Sequence, residues 1–305
     1  MTEAERNVAA SIQARLKNEA EAQGKPFAEL LQYYGMERFL YRLSKSTYVD
    51  KFVLKGGLLF YGWNIPLRRP TRDIDFRGYL DNNEKGILRA INDILTEVVP
   101  EDGIVFDTNT IHVEQTQIDA DYQGIRVKFT GYLGKARIPM QIDIGFSDVI
   151  ASRVERVNYP TLLENTKAPH LKSYPKESMV SEKFHAMIRH AQLNSRFKDY
   201  YDLWLISTNF EFDARSLQKA IDKTFAKRET EIPAERPIGL TTEFAEVNRN
   251  RWTSFLKKSG LQGRDIENFV EIVERIWEFL DYPRKLALGE GSDKALHWIP
   301  QKGWG

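Results

Sequence analysis

Thr71-Arg72-Asp73-Ile74-Asp75-Phe76 is the stretch from which the rest of the chain is read. Asp73 to Tyr79 alternates as a strand, and residues two apart in a strand point to the same face. Asp73 and Asp75 therefore share one face, while Ile74 and Phe76 point the other way, into a core. Two carboxylates roughly 7 Å apart on one face repel unless a cation sits between them. The 305 residues contain no cysteine and only five histidines, so such a cation is held by oxygen or imidazole, and the scarcity of histidine favours carboxylate-bound Mg2+ or Mn2+ over zinc. Burying Ile74 and Phe76 behind the acids makes the platform rigid.

Two further stretches give this pair its weight. Upstream, the apolar run Phe52-Val53-Leu54 leads into Lys55-Gly56-Gly57 and then Leu58-Leu59-Phe60-Tyr61, read as strand, glycine turn and short helix. Glycines at such a turn let backbone N–H groups approach a phosphate unobstructed, and Lys55 adds positive charge. Downstream, Gln141-Ile142-Asp143-Ile144-Gly145 carries one acid among apolar neighbours. A third carboxylate there would bind a second metal or take a proton from an attacking hydroxyl. A lone Asp-x-Asp is common and a lone Gly-Gly is usually only a turn. Their occurrence in this order, followed by Asp143, is far more specific than any one of them.

Outward from these motifs the chain divides by texture. Residues 3–22 read as a polar amphipathic helix, and Pro26 opens another that runs to about Ser46. Ile87, Leu88, Ile91, Leu95 and Val98 place a helix over 83–99, and strand-like runs follow near 104–116, 122–132 and 137–146. After residue 160 helices dominate: from Pro175 to about Leu193, then 197–209, 214–228, 241–258 and 264–288. The tail after Gly289 reads as weakly ordered, with Trp298 and Trp304 as docking candidates. The expected fold is α/β (α+β in layout), a mixed sheet and then a helical half, divided as 1–165 and 166–305.

Lys55-Gly56-Gly57-Leu58 followed by Arg69-Pro70-Thr71-Arg72-Asp73-Ile74-Asp75-Phe76 resembles the polymerase-β-like nucleotidyltransferases, and within them the AbiEii/AbiGii toxin branch that includes the MenT toxins. Two later motifs of that branch look like Ser181-Glu182-Lys183-Phe184-His185-Ala186 and Arg196-Phe197-Lys198-Asp199-Tyr200-Tyr201-Asp202-Leu203. The resemblance covers roughly residues 50–205. It implies that Asp73 and Asp75 bind metal, with Asp143 as the superfamily's third acid by position. It also implies that Gly56 and Gly57 form the phosphate turn, where serine more often follows the first glycine, and that Thr71 is the hydroxyl residue before the acids. Lys183 corresponds to a lysine that contacts nucleotide phosphates, and Asp199 to the acid of the last motif. Read without the resemblance, Lys183 fits a lysine snorkelling from a core edge toward phosphates, a solvated helix face, or an ion pair with Asp199.

What the resemblance implies for function is transfer of NMP from an NTP, with Mg2+ or Mn2+, to an acceptor hydroxyl. A tRNA 3′ end is the implied acceptor, in the toxin of a toxin–antitoxin or phage-defence pair, with a cognate antitoxin as partner. The nucleotide is expected in a cleft between the halves. Alternatives are a nucleotidyltransferase acting on a protein or small molecule, and a catalytically silent binding module. The net charge of +1 leaves nucleic-acid contact to local patches: Lys55, Arg68, Arg69 and Arg72 beside the acids, and Arg249, Arg251, Lys257 and Lys258 on a later helix. The first residues show no basic segment leading into an apolar one, and no stretch approaches the roughly 18 apolar residues of a membrane span. A cytoplasmic, membrane-free protein is expected.

Overall fold

A computed structural model describes residues 3–305 apart from 67–68, 120–121, 147–149, 151–152, 191–195, 264 and 292–293. It forms two compact units, Met1–Asp148 with Val154–Tyr174, and Val149–Arg153 with Pro175–Gly305.

In the first unit, α1 (Glu3–Gln23) buries Ala9, Ile12, Leu16 and Ala20, one stripe at helical spacing, against α2 (Phe27–Lys45). Pro26 stands just outside α2 with ψ 134°, so it precedes the helix instead of opening it. The sheet is built from β1 (Phe52–Lys55), β2 (Asp73–Gly78), β3 (Ile104–Asp119), β4 (Tyr122–Leu133), β5 (Ala136–Gly145), β6 (Glu155–Asn158) and β7 (His170–Ser173). Its order is β3-β4-β5-β2-β1-β7-β6, with parallel pairs β2–β5 and β1–β7 and antiparallel pairs elsewhere. The short helix α3 (Leu59–Gly62) follows the glycine turn, and α4 (Glu84–Leu95) joins β2 to β3. Thr96 closes α4 earlier than the periodicity suggests, because its hydroxyl donates to the carbonyls of Asn92 and Asp93.

Alternation along β2 is regular: Ile74 and Phe76 are buried while Asp73, Asp75 and Arg77 are partly exposed. Phe39 of α2 packs on Phe76, Phe106 and Phe129, and Phe52 on Phe76, with ring centroids 5.3–6.5 Å apart. This aromatic layer backs the acids with a core that resists deformation.

The second unit contains α5 (Lys176–His190), α6 (Phe197–Asn209), α7 (Ala214–Lys227), α8 (Thr242–Val247), α9 (Arg249–Lys258) and α10 (Phe269–Ala287). The helix expected over 241–258 divides at buried Asn248, whose side-chain amide donates back to the Phe244 carbonyl. The tail corrects the expectation of weak order. It forms β9 (His297–Ile299) and β10 (Gly303–Trp304), which pair with β8 (Phe212–Asp213) in a three-stranded sheet. Trp298 is fully buried against Phe279, and its indole N–H donates to the Ser207 carbonyl at 2.7 Å. Among the described residues no helix is long and apolar enough to cross a membrane.

Candidate active site

Strand register places the expected acids side by side. Asp75 lies opposite Asp143 across the parallel β2–β5 pair, and Asp73 opposite Gln141. Extending each row gives Lys55–Asp75–Asp143–Arg126–Glu114 across five strands, with Asp73–Gln141–Lys128–His112 beside it. Facing residues in a ladder project to the same side, so these groups share the face opposite the aromatic layer.

The charges in the long row are internally arranged. Arg126 donates from Nε and Nη2 to both oxygens of Asp143, at 2.8 and 2.9 Å. That ion pair raises the Arg126 pKa, with the Asp143 hydrogen bond as the main cause and Asp73 adding to it. Lys128 donates to Glu114 Oε1 at 2.8 Å. Lys55 lies over the Tyr174 ring, 5.7 Å from its centroid.

The glycine turn is pressed against the acids. Gly56 has φ +71°, a left-handed conformation that favours glycine, and a Cβ there would overlap the Asp75 carboxylate. At Gly57 a Cβ would lie 2.9 Å from Arg69 Nη2 and 3.0 Å from the Thr71 hydroxyl. The loop carrying those two residues is clamped from α2: the Tyr33 hydroxyl donates to the Arg69 carbonyl and accepts from the Thr71 N–H, at 3.2 and 2.9 Å. Burial pushes the Tyr33 pKa up to about 12, so it stays a neutral donor and acceptor. Arg72 is exposed, and Arg68 lies outside the described residues.

Among the described residues no group of three or more His, Asp or Glu side chains is arranged to hold a metal. Arg126 holds both oxygens of Asp143, and Asp73 and Asp75 stand beside it on the same face. Two carboxylates suit Mg2+, which takes one or two from a protein and completes its shell with water and substrate phosphates.

In the second unit, Lys183 on α5 donates to Asp199 Oδ1 and to Asp202 Oδ2, both at 2.8 Å, and Arg196 Nε lies 2.8 Å from Asp199 Oδ2. Burial opposes the Lys183 charge, but the two carboxylates outweigh it and its pKa is raised overall. Asp199, though burial acts against it as well, is held below the usual carboxylate range by Lys183 and Arg196. The i,i+3 spacing read in the sequence thus becomes a chelate around one ammonium. The four basic residues on α9 are all exposed, and the Arg251 guanidinium lies over the Phe197 ring.

A sequence model of the family described as "Nucleotidyl transferase AbiEii toxin, Type IV TA system" matches residues 38–281. The chain belongs to this family. The AbiEii match runs from α2 into α10 and contains every residue proposed from the sequence for the site, leaving out α1, β9 and β10. Two solved structures from Helicobacter pylori are similar. One, described as a proposed nucleotidyltransferase, is 14% identical, with a TM-score of 0.46 over 86% of this chain and 97% of that one. The other, JHP933, is 14% identical, with a TM-score of 0.48 over 86% and 94%. No curated protein matches the sequence.

Arg126, Lys128 and Tyr33 do not stand out in the sequence. Alternation along 122–132 put Arg126 and Lys128 on one face, but which strand adjoins which is invisible in the order of residues. Tyr33 gave no signal, because its role depends on contact with a loop 36 residues away.

Proposed function

We propose that this nucleotidyltransferase moves NMP from an NTP to an acceptor hydroxyl in a metal-dependent reaction, as the toxin of a toxin–antitoxin pair with tRNA as acceptor. The observation that carries the reading is the seating of Gly56 against the Asp75 carboxylate, with Asp73 beside it on the same strand face. A divalent ion bound there would offset phosphate charge and polarise the reacting oxygens. Asp73 and Asp75 hold and orient that ion. The backbone of Gly56-Gly57 comes close to the triphosphate, with Lys55, Arg72 and the Thr71 hydroxyl contributing contacts. Asp199 and Asp202 keep Lys183 protonated, which suits a lysine that meets phosphate oxygens.

Labelled NTPs incubated with separate pools of tRNA, protein and aminoglycoside test the acceptor. Label in tRNA that disappears in Asp73→Ala and Lys183→Ala supports the reading. No tRNA labelling, or variants as active as the wild type, would sink it.

A further inference from the structure

The acids on β2 have different neighbours on their two sides. With the sheet order β4-β5-β2-β1, Lys55 and the Gly56-Gly57 turn flank them on one side. Arg126 and Lys128 flank them on the other, two strands away, roughly 10 Å at the usual strand spacing. Both cations face the same way as Asp73 and Asp75, and both are propped. Arg126 is gripped by both Asp143 oxygens, and Gln141 Nε2 donates to Asp143 Oδ2 at 3.3 Å. Lys128 is held by Glu114, whose other oxygen lies 3.5 Å from His112 Nε2. Their side chains remain 32% and 49% exposed, enough for a ligand to reach them. An oriented guanidinium next to an oriented ammonium is suited to a phosphate oxygen.

The geometry of phosphoryl transfer assigns this pair a task. Attacking and leaving oxygens lie on opposite sides of the reacting phosphorus. With the triphosphate tail on the glycine turn, the acceptor arrives from β5 and β4. Its hydroxyl oxygen bonds to the α-phosphorus and the α–β bridging bond breaks. Pyrophosphate leaves with the electron pair, and the hydroxyl proton passes to solvent. We propose that Arg126 and Lys128 seat a backbone phosphate of the acceptor strand, and that Asp143 is a positioning residue that orients Arg126 and not a metal ligand. This rests on the transfer reading above and narrows its acceptor to an RNA strand end, against a cationic aminoglycoside.

The test uses the full chain and the variants Arg126→Gln, Lys128→Gln, the double variant, Arg126→Lys and Asp143→Asn. KM for tRNA and for NTP, binding of a 5′-labelled short RNA by fluorescence anisotropy, and Mn2+ stoichiometry by electron paramagnetic resonance are measured on each. The double variant is expected to raise the tRNA KM about tenfold or more, hold the NTP KM within about twofold, and flatten the salt dependence of RNA binding by about one unit of slope per charge removed. Arg126→Lys retains part of the affinity if folding is intact. Asp143→Asn raises the tRNA KM and leaves the Mn2+ stoichiometry unchanged. An unchanged tRNA KM and RNA affinity, a rise in the NTP KM alone, or loss of a Mn2+ ion in Asp143→Asn overturns the proposal. Label transferred only to aminoglycoside or protein also overturns it. A wild type that labels nothing, yet binds RNA in a way the double variant abolishes, fails the transfer reading and keeps the seat.

Discussion

At the scale of single residues, the site depends on a side chain that is missing. Gly56 lacks a Cβ where the Asp75 carboxylate sits, so Gly56→Ala adds both an overlap and a left-handed strain. The expected cost is about 1–3 kcal/mol in urea unfolding. An Asp75→Ala background removes the carboxylate and leaves only its Cβ, 2.8 Å from the added one, so the same substitution should cost less, about 1–2 kcal/mol. A double-mutant cycle reads the difference as coupling; no coupling would mean the turn and the acid do not touch. Tyr33 acts at one remove, since its hydroxyl ties down both Arg69 and Thr71. Tyr33→Phe should lower stability by about 1–2 kcal/mol and depress kcat. A kcat equal to that of the wild type would show that the loop needs no clamp.

At the scale of elements, α5 and α6 are joined through Lys183, and this complicates the mutation most often chosen for such a residue. Lys183→Ala removes the ammonium that buried Asp199 and Asp202 share, while Arg196 and Lys198 still act on Asp199. The expected destabilisation is about 3–5 kcal/mol, measured by denaturant unfolding. Adding Asp202→Asn removes one of those buried charges and should restore part of the stability without restoring activity. If Lys183→Ala unfolds at the wild-type midpoint, the buried chelate contributes nothing to the fold. Most elements were legible from periodicity: α6 was expected at 197–209 and forms there, and β3, β4 and β5 lie where alternating runs were read. The short strands β6 and β7 were not legible, because four residues carry no period and pairing alone makes them strands.

At the scale of the whole molecule, stability against pH has at least two opposed contributions. Burial raises the Glu37 pKa from 4.5 to about 6, although Arg38 and the Leu162 N–H oppose it. A raised carboxylate favours the fold while it is protonated, so its contribution is full below pH 4.5 and is lost as pH rises through about 6. The loss is worth about 2 kcal/mol. Glu37→Gln should flatten the unfolding free energy over that window, and an unchanged slope would count against the assignment. Asp199 acts in the opposite sense: its pKa is lowered, so its stabilisation is present at neutral pH and fades as pH falls into the acid range.

The sequence by itself determined which residues share a face. A period of two put Asp73 and Asp75 together and Ile74 and Phe76 behind them, and the ordered motifs pointed to the family that the match over residues 38–281 shows. Only the tertiary structure decided which groups meet across strands. Asp143 was read as a lone acid in an apolar run, yet the β4–β5 register sets Arg126 beside it. Lys183 was paired with Asp199 from the sequence, and Asp202 turns that pair into a chelate around one ammonium. The tail, poor in periodicity, is ordered by burial of Trp298. Periodicity is a local property of the backbone and can be read along the chain. Register and ion pairing join residues far apart in sequence, and are settled only when burial leaves a charge no partner but its neighbour.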